Sequence, residues 1–368
     1  MTLPTLQNDC NSSGAPSVSL LIDTGRRGKV PETAFATIVL RLNRLQPPAA
    51  NPGEMWDPLG LYRPLPLEQR LFPLGFPLDL YTNSKEVVAA AQDLWGEYRP
   101  AFETEPMQLR VQVREGTPPS PFGTPAFHSQ GHLFTTILDA HNLVIWDLDR
   151  GFGFARLTPE VARDHLYAGY FFLEPALTCV GQRFATPIHA ACVARDGRGI
   201  LLTGPSGMGK SSLAWALCRA GLTFVSDDAS WLRRDSSAPV IFGKPHRLRF
   251  RPEALDLFPE IATLPRLETI KGPRSFEVRT ADIPGLTTAP CCRPGRLLFL
   301  ARQAQGEAAL EPLSAAETMR RLSLTRNSYE PRVWREQEAS LRKLADCPGH
   351  VLRYSRLEDA VRLIVNLP

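Results

Sequence analysis

Gly204-Pro-Ser-Gly-Met-Gly-Lys-Ser211 joins a short apolar run, Ile200–Thr203, to a strong helix former that begins at Ser211. Glycines at 204, 207 and 209 let the backbone turn tightly and aim several N–H groups at one point. The first turn of the helix brings the positive end of its dipole to that same point. The pattern G-x-x-x-x-G-K-S in this setting reads as a phosphate-binding loop. Gly204, Pro205, Ser206, Gly207, Met208, Gly209, Lys210, Ser211 and Ser212 would then surround a nucleoside triphosphate. Lys210 would reach the β and γ phosphates, and the Ser211 hydroxyl would ligate Mg²⁺. A Gly-rich turn without a ligand is the alternative, and the flanking strand and helix weigh against it. The loop thereby predicts an α/β domain with its site at the carboxyl ends of the strands.

Gly221 reads as the glycine that closes the helix. A second apolar strand, Leu222–Ser226, follows and ends in Asp227-Asp228. Carboxylates at a strand tip beside the loop are where a divalent cation and an activated nucleophile need them. Two exposed turn aspartates are the competing reading.

The segment His189-Ala-Ala-Cys-Val-Ala, followed by GRGILLTGPSGMGKSSLAWALCRAGLTFVSDD, resembles the catalytic core of the HPr kinase/phosphorylase family. That family comprises bacterial serine kinases with a P-loop fold akin to phosphoenolpyruvate carboxykinase. His189 lies fifteen residues before Gly204 and thirty-nine before Asp228, and both spacings agree with the family pattern without a gap. The resemblance implies ATP and Mg²⁺ as cofactors and Asp228 as the base that takes the serine proton. It implies that Asp227 and His189 complete the polar cluster, that Lys210 neutralises phosphate, and that Ser211 and Asp227 hold the metal. It spans 187–228 and fades on both sides.

The family's Glu-x-Arg-Gly signature is not legible, although ungapped spacing points near Glu253. Arg293-Pro-Gly-Arg296 loosely resembles a family segment with a functional arginine, so Arg296 joins the catalytic set; a surface arginine at a strand start fits equally. Lys271 and Arg274 read either as phosphate or acceptor contacts or as solvated loop charges. The expected activity is an ATP- and Mg²⁺-dependent serine kinase acting on a protein or peptide. The alternatives are a nucleotide-binding regulatory or scaffold protein that transfers nothing, and a kinase of a small-molecule hydroxyl. Asp282-Ile-Pro-Gly285 fits the D-x-x-G of GTPase switches, but the chain has no Asn-Lys-x-Asp guanine-reading segment.

Composition narrows the class. The 368 residues suffice for two domains, and 43% hydrophobic with 22% charged residues describes an ordinary globular chain. A net charge of +4 without a Lys/Arg block implies neither nucleic acid nor a membrane surface as partner. Seven scattered cysteines without metal spacing read as thiols of a reducing compartment. No run approaches the roughly 20 apolar residues of a membrane span. With no signal-like start, the expectation is a cytoplasmic protein, and the resemblance leaves room for a homo-oligomer.

Three stretches are expected along the chain: a flexible N-terminus over 1–17, a smaller α+β accessory domain over 18–125 with a Pro-rich segment, and the P-loop kinase domain over 126–368. Prolines from Pro47 to Pro77 suggest extended, loop-rich chain. Asn83-Ser-Lys-Glu86 predicts a capped helix start, and Met107–Val113 alternates as a half-buried strand. Strands are expected at 133–138 and 142–147, the latter in a hairpin with 153–157. Tyr167, Tyr170, Phe171 and Phe172 are expected in the core. Helices with capping boxes are predicted from Ser314 and Ser355.

Overall fold

Sheet strands appear on both sides of the Pro-rich break at 117–125. A seven-stranded sheet holds β1 (Leu67–Leu71), β2 (Leu78–Thr82), β3 (Met107–Val113), β4 (Ala126–Gln130), β5 (Leu133–Ile137), β6 (Leu143–Asp147) and β7 (Phe152–Leu157), in the order β1-β2-β3-β7-β6-β5-β4. The computed structural model describes residues 64–234, 238–270, 274–323 and 330–367, which lie in one compact unit, Arg63–Pro368. The expected flexible N-terminus, the run 34–42 and the prolines from Pro47 to Pro58 lie outside the described residues.

β3 and β7 pair in parallel from Gln108–Phe152 to Val113–Leu157. The segment at 117–125 is therefore a connection within one sheet. β1 occupies the stretch expected as loop: its neighbours Pro64, Pro66 and Pro73 flank the strand and leave its ladder N–H groups intact. On β3, Met107, Leu109 and Val111 are buried, as the period of two requires. Helix α1 (Lys85–Trp95) buries Val87, Ala90, Ala91 and Trp95 on one stripe. Each large side chain removed from water here contributes about 1.5–3 kcal/mol. The capping box at 83–86 does not form. Ser84 makes no cap bond, and Asn83 instead donates to Val113 O and accepts from Val113 N at 2.9 and 2.8 Å, tying the helix start to β3.

The second sheet has nine strands. It takes in β8 (Ala185–Ile188), β9 (Ala190–Arg195), β10 (Arg198–Thr203), β11 (Thr223–Ser226), β12 (Ser230–Arg233) and β13 (Ile241–Gly243). A small three-stranded sheet intervenes, made of β14 (Arg247–Phe250), β15 (Leu267–Glu268) and β16 (Phe276–Arg279) in the order β14-β16-β15. The large sheet then gains β17 (Cys291–Arg302), β18 (Ala309–Leu313) and β19 (Gly349–Tyr354). β10, β17 and β19 run parallel at its centre. Their apolar runs, Ile200–Leu202 and Leu297–Leu300, are covered on both faces.

Ahead of β8 stands α2 (Ala176–Arg183); α3 (Lys210–Arg219) follows the loop, and α4 (Ala315–Ser323), α5 (Pro331–Ala345) and α6 (Leu357–Val365) close the chain. α3 and α6 pack on one face of the sheet, α4 and α5 on the other. Ser314 caps α4 by accepting from Glu317 N. The helix expected from Ser355 starts later, at Leu357, because the Ser355 hydroxyl is engaged with Gly306 O at 2.7 Å.

β10 delivers the loop, and its glycine has a specific reason. A Cβ at Gly199 would come within 2.5 Å of Cys292 Sγ and 3.3 Å of Cys192 Sγ. Tyr167, Phe171 and Phe172 are buried as expected; Tyr170 is only half-buried and faces a cleft.

Candidate active site

The loop leaves β10 at Thr203 and enters α3 at Lys210, with Gly207 and Gly209 both at φ +88°. That left-handed conformation is open to glycine at little cost. The turn is held from outside by Tyr354 OH, which donates to Met208 O at 3.1 Å, and by Arg251, which donates to Ser206 Oγ at 3.1 Å. Ser206, Gly207, Gly209, Lys210, Ser211 and Ser212 line a cleft of 530 Å³.

Lys210 is 5% exposed, and burial lowers its pKa. Its ammonium donates to Gly204 O at 2.9 Å and to Pro205 O at 3.4 Å, and lies 3.0 Å from His189 Nε2. A charged ammonium has no lone pair, so Nε2 must accept and the His189 proton sits on Nδ1. That nitrogen lies 3.5 Å from Asp228 Oδ1. His189 thus stands between the Lys210 ammonium and the Asp228 carboxylate.

The two aspartates face opposite ways. Asp228 has φ +58°, a turn that costs a non-glycine residue roughly 1–2 kcal/mol and that Asp tolerates better than most. The turn leaves Asp228 half-exposed and sends Asp227 inward. Asp227 Oδ1 accepts from the Ser211 hydroxyl at 2.7 Å, and Oδ2 accepts from Arg249 N–H at 3.0 Å. Burial pushes its carboxyl up to about 6, against the pull of those two hydrogen bonds.

A buried carboxylate touching the loop serine suits a divalent cation. Among the described residues no cluster of three or more His, Cys, Asp or Glu could hold a metal. An ion that keeps few protein ligands and is completed by substrate phosphates, as magnesium commonly is, would meet Ser211 and Asp227 here.

The Asp227 shift has a stability consequence. The folded state holds the proton more tightly than the unfolded chain, whose value is near 3.8. This group's contribution to folding is fully present below pH about 4 and is lost as pH rises through about 6. Above that the buried charge costs on the order of 2–3 kcal/mol. Without divalent metal, Asp227→Asn should gain stability over wild type near pH 7.5 and lose that gain as pH falls below about 4 in chemical denaturation. A difference independent of pH would contradict a raised Asp227.

Other expected residues are placed differently. Arg296 pairs across from Ile200 within β17, about 10 Å before the loop level at Thr203. It lies near His350, whose pKa burial lowers first and Arg296 second, and it lines neither cleft described here. The arginines brought to the loop are Arg249, Arg251 and Arg302. Sequence reasoning missed these because Arg249 arrives on β14, Arg251 just after its end and Arg302 at the far end of β17. Glu253 does line the loop cleft, although no Glu-x-Arg-Gly surrounds it. Arg274 is exposed and lines neither cleft, and Lys271 lies outside the described residues.

A second cleft, of 310 Å³, shares Tyr170, Asp227, Asp228 and Arg249 with the loop's surroundings. Its other walls come from α1, the turn at 165–170 and the small sheet. None of its lining residues belongs to the phosphate loop.

A strand–loop–helix phosphate cradle with a carboxylate pair at the neighbouring strand tip makes this an α/β domain of the P-loop kinase type. Residues 183–250 match the family model described as HPr Serine kinase C-terminal domain, so the segment that builds the site is HPr kinase-like. Among solved structures the chain is similar to the Hpr(Ser) kinase/phosphatase from Coxiella burnetii. That likeness covers 49% of this chain and 91% of the other, at 12% identity and a TM-score of 0.27. No curated protein matches the chain. Among the described residues, no helix is long and apolar enough to cross a membrane.

Proposed function

We propose that the protein is an ATP- and magnesium-dependent kinase that transfers the γ-phosphoryl group to a serine hydroxyl of a protein or peptide. The observation that carries this reading is Asp228. Its carboxylate lines both clefts, one built on the phosphate loop and one not. A serine hydroxyl is a weak nucleophile, and a carboxylate within hydrogen-bond reach is what activates it.

ATP enters the loop cleft with its β and γ phosphates against the loop N–H groups and the first turn of α3. The Lys210 ammonium exchanges its carbonyl partners for phosphate oxygens. Ser211 and Asp227 would hold a magnesium ion, which would supply charge neutralisation for the phosphates. Asp228 accepts the serine proton as the serine Oγ–P bond forms. The bond from Pγ to the β–γ bridging oxygen breaks, and its electron pair leaves with ADP. His189 keeps Asp228 aimed at the acceptor. Arg249, Arg251 and Arg302 line the same cleft and add positive charge where the phosphoryl group moves.

The test is incubation of the protein with γ-labelled ATP, Mg²⁺ and a pool of serine-containing peptides. Phosphoserine is expected. Tight ATP binding with no labelled hydroxyl would instead favour a nucleotide-binding regulator, and label only on small alcohols would favour a metabolite kinase.

A further inference from the structure

Resting on the kinase reading, we infer that the second cleft is the acceptor subsite, and that it takes a serine carried in an extended peptide with apolar flanking residues. The face of a folded domain does not suit it. A cavity of 310 Å³ stands at the small end of ligand pockets and admits about two or three residues. It meets the donor cleft at Tyr170, Asp228 and Arg249 and nowhere at the loop. A hydroxyl entering it reaches the base from a cleft other than the one that holds the phosphates, which leaves the loop side to the donor.

The chemistry of its walls selects the flanks. Leu166, Leu267 and Ile270 line it while 44, 44 and 40% exposed, and apolar side chains left in water beside a cavity are what a partner covers. Several of the charges around it are paired within the wall. Lys244 meets Glu174, Arg247 meets Glu277 at 3.2 Å, and His165 lies between Asp93 at 2.9 Å and Glu86 at 3.1 Å. Such a wall offers little to a charged ligand, which would have to break a pair to be held.

The small sheet selects the peptide form. Leu267 and Glu268 are β15, an edge strand that pairs only with β16 among the described residues. Thr269 and Ile270 continue it along the cleft. An unpaired edge beside a pocket is a template on which an extended chain gains main-chain hydrogen bonds while alternate side chains enter pockets.

The probes are a pentapeptide with serine between two leucines, the same peptide with aspartates in their place, and hexan-1-ol. Binding is measured by calorimetry in the presence of the non-hydrolysable nucleotide AMP-PNP with Mg²⁺, and transfer by labelled ATP. The leucine peptide should bind at least about tenfold more tightly than the aspartate peptide. Leu166→Asp and Leu267→Asp, both at exposed positions, should each weaken it about tenfold and leave the AMP-PNP affinity unchanged. Equal binding of both peptides, unaltered affinity in both variants, or hexan-1-ol bound alone would overturn the inference. Leucine-peptide binding without phosphoserine from ATP would keep the subsite and sink the kinase reading. Failure to bind AMP-PNP would count against the donor site itself.

Discussion

Lys210→Ala should lower ATP affinity at least about 100-fold, since a buried ammonium contacting phosphate oxygens makes several charge-assisted hydrogen bonds worth about 1.5–3 kcal/mol each. The side chain is almost fully enclosed at the foot of α3, where the loop holds it in place. Its loss should not unfold the protein. Burial already lowers the Lys210 pKa, which means the folded state holds this charge at a cost. The carbonyls it leaves belong to Gly204 and Pro205 on a loop that borders an open cleft, where water can reach them. Isothermal titration with ATP and Mg²⁺, alongside a melting curve, separates the two effects. Unchanged affinity in a folded variant would sink the phosphate-loop assignment. Lys210→Arg should also bind poorly, because a planar fork cannot thread between two carbonyls and His189 as a single ammonium does.

Much of this site was legible because it is local. Strand, loop, helix and the following strand occupy one continuous stretch, and the structure keeps them as β10, α3 and β11. Spacing matched to the family resemblance led from the loop to His189 and Asp228; His189 now lies 3.0 Å from Lys210 Nζ and 3.5 Å from Asp228 Oδ1. What escaped was contributed by topology. Arg249 comes from the small sheet, Arg251 from just beyond its first strand, and Tyr170 from a π-helical turn at Gly169–Leu173; no periodicity marks any of them as facing the loop. Arg296 is placed away from the loop. A motif-like neighbourhood suggested a functional arginine, but the parallel register of β17 with β10 sets it level with Ile200.

The fold was legible to a similar depth. β3 coincides with its alternating run, and the hairpin of β6 and β7 forms as its turn suggested. β1 hid among prolines because a strand can be bounded by them without containing one. α5 went unread: Arg335, Glu336, Glu338, Arg342 and Lys343 dominate its sequence, while its core contacts rest on Val333, Leu341 and Leu344. The parallel pairing of β3 with β7 across 117–125 is a long-range contact that no local composition reveals.

Asp228→Asn should reduce phosphoryl transfer by about 10³-fold, within the 10²–10⁴ range of a lost general base, with ATP affinity retained. The substitution isolates the charge. Asparagine accepts the left-handed backbone that Asp228 adopts at φ +58°, and its side-chain oxygen can still face the Nδ1 proton of His189. Alanine at this position would add backbone strain and confuse the result. Asp227→Asn offers the contrast. That carboxylate is buried and accepts from Ser211 of the loop, so its loss should raise the Mg²⁺ concentration needed for half-maximal transfer more than it lowers the limiting rate. Rates measured across Mg²⁺ concentration for both variants separate base from metal ligand, because added Mg²⁺ can compensate for a weakened ion site but cannot restore a missing proton acceptor. An Asp228→Asn protein that transfers phosphate at the wild-type rate would remove Asp228 as the base and leave the second cleft without its link to the chemistry.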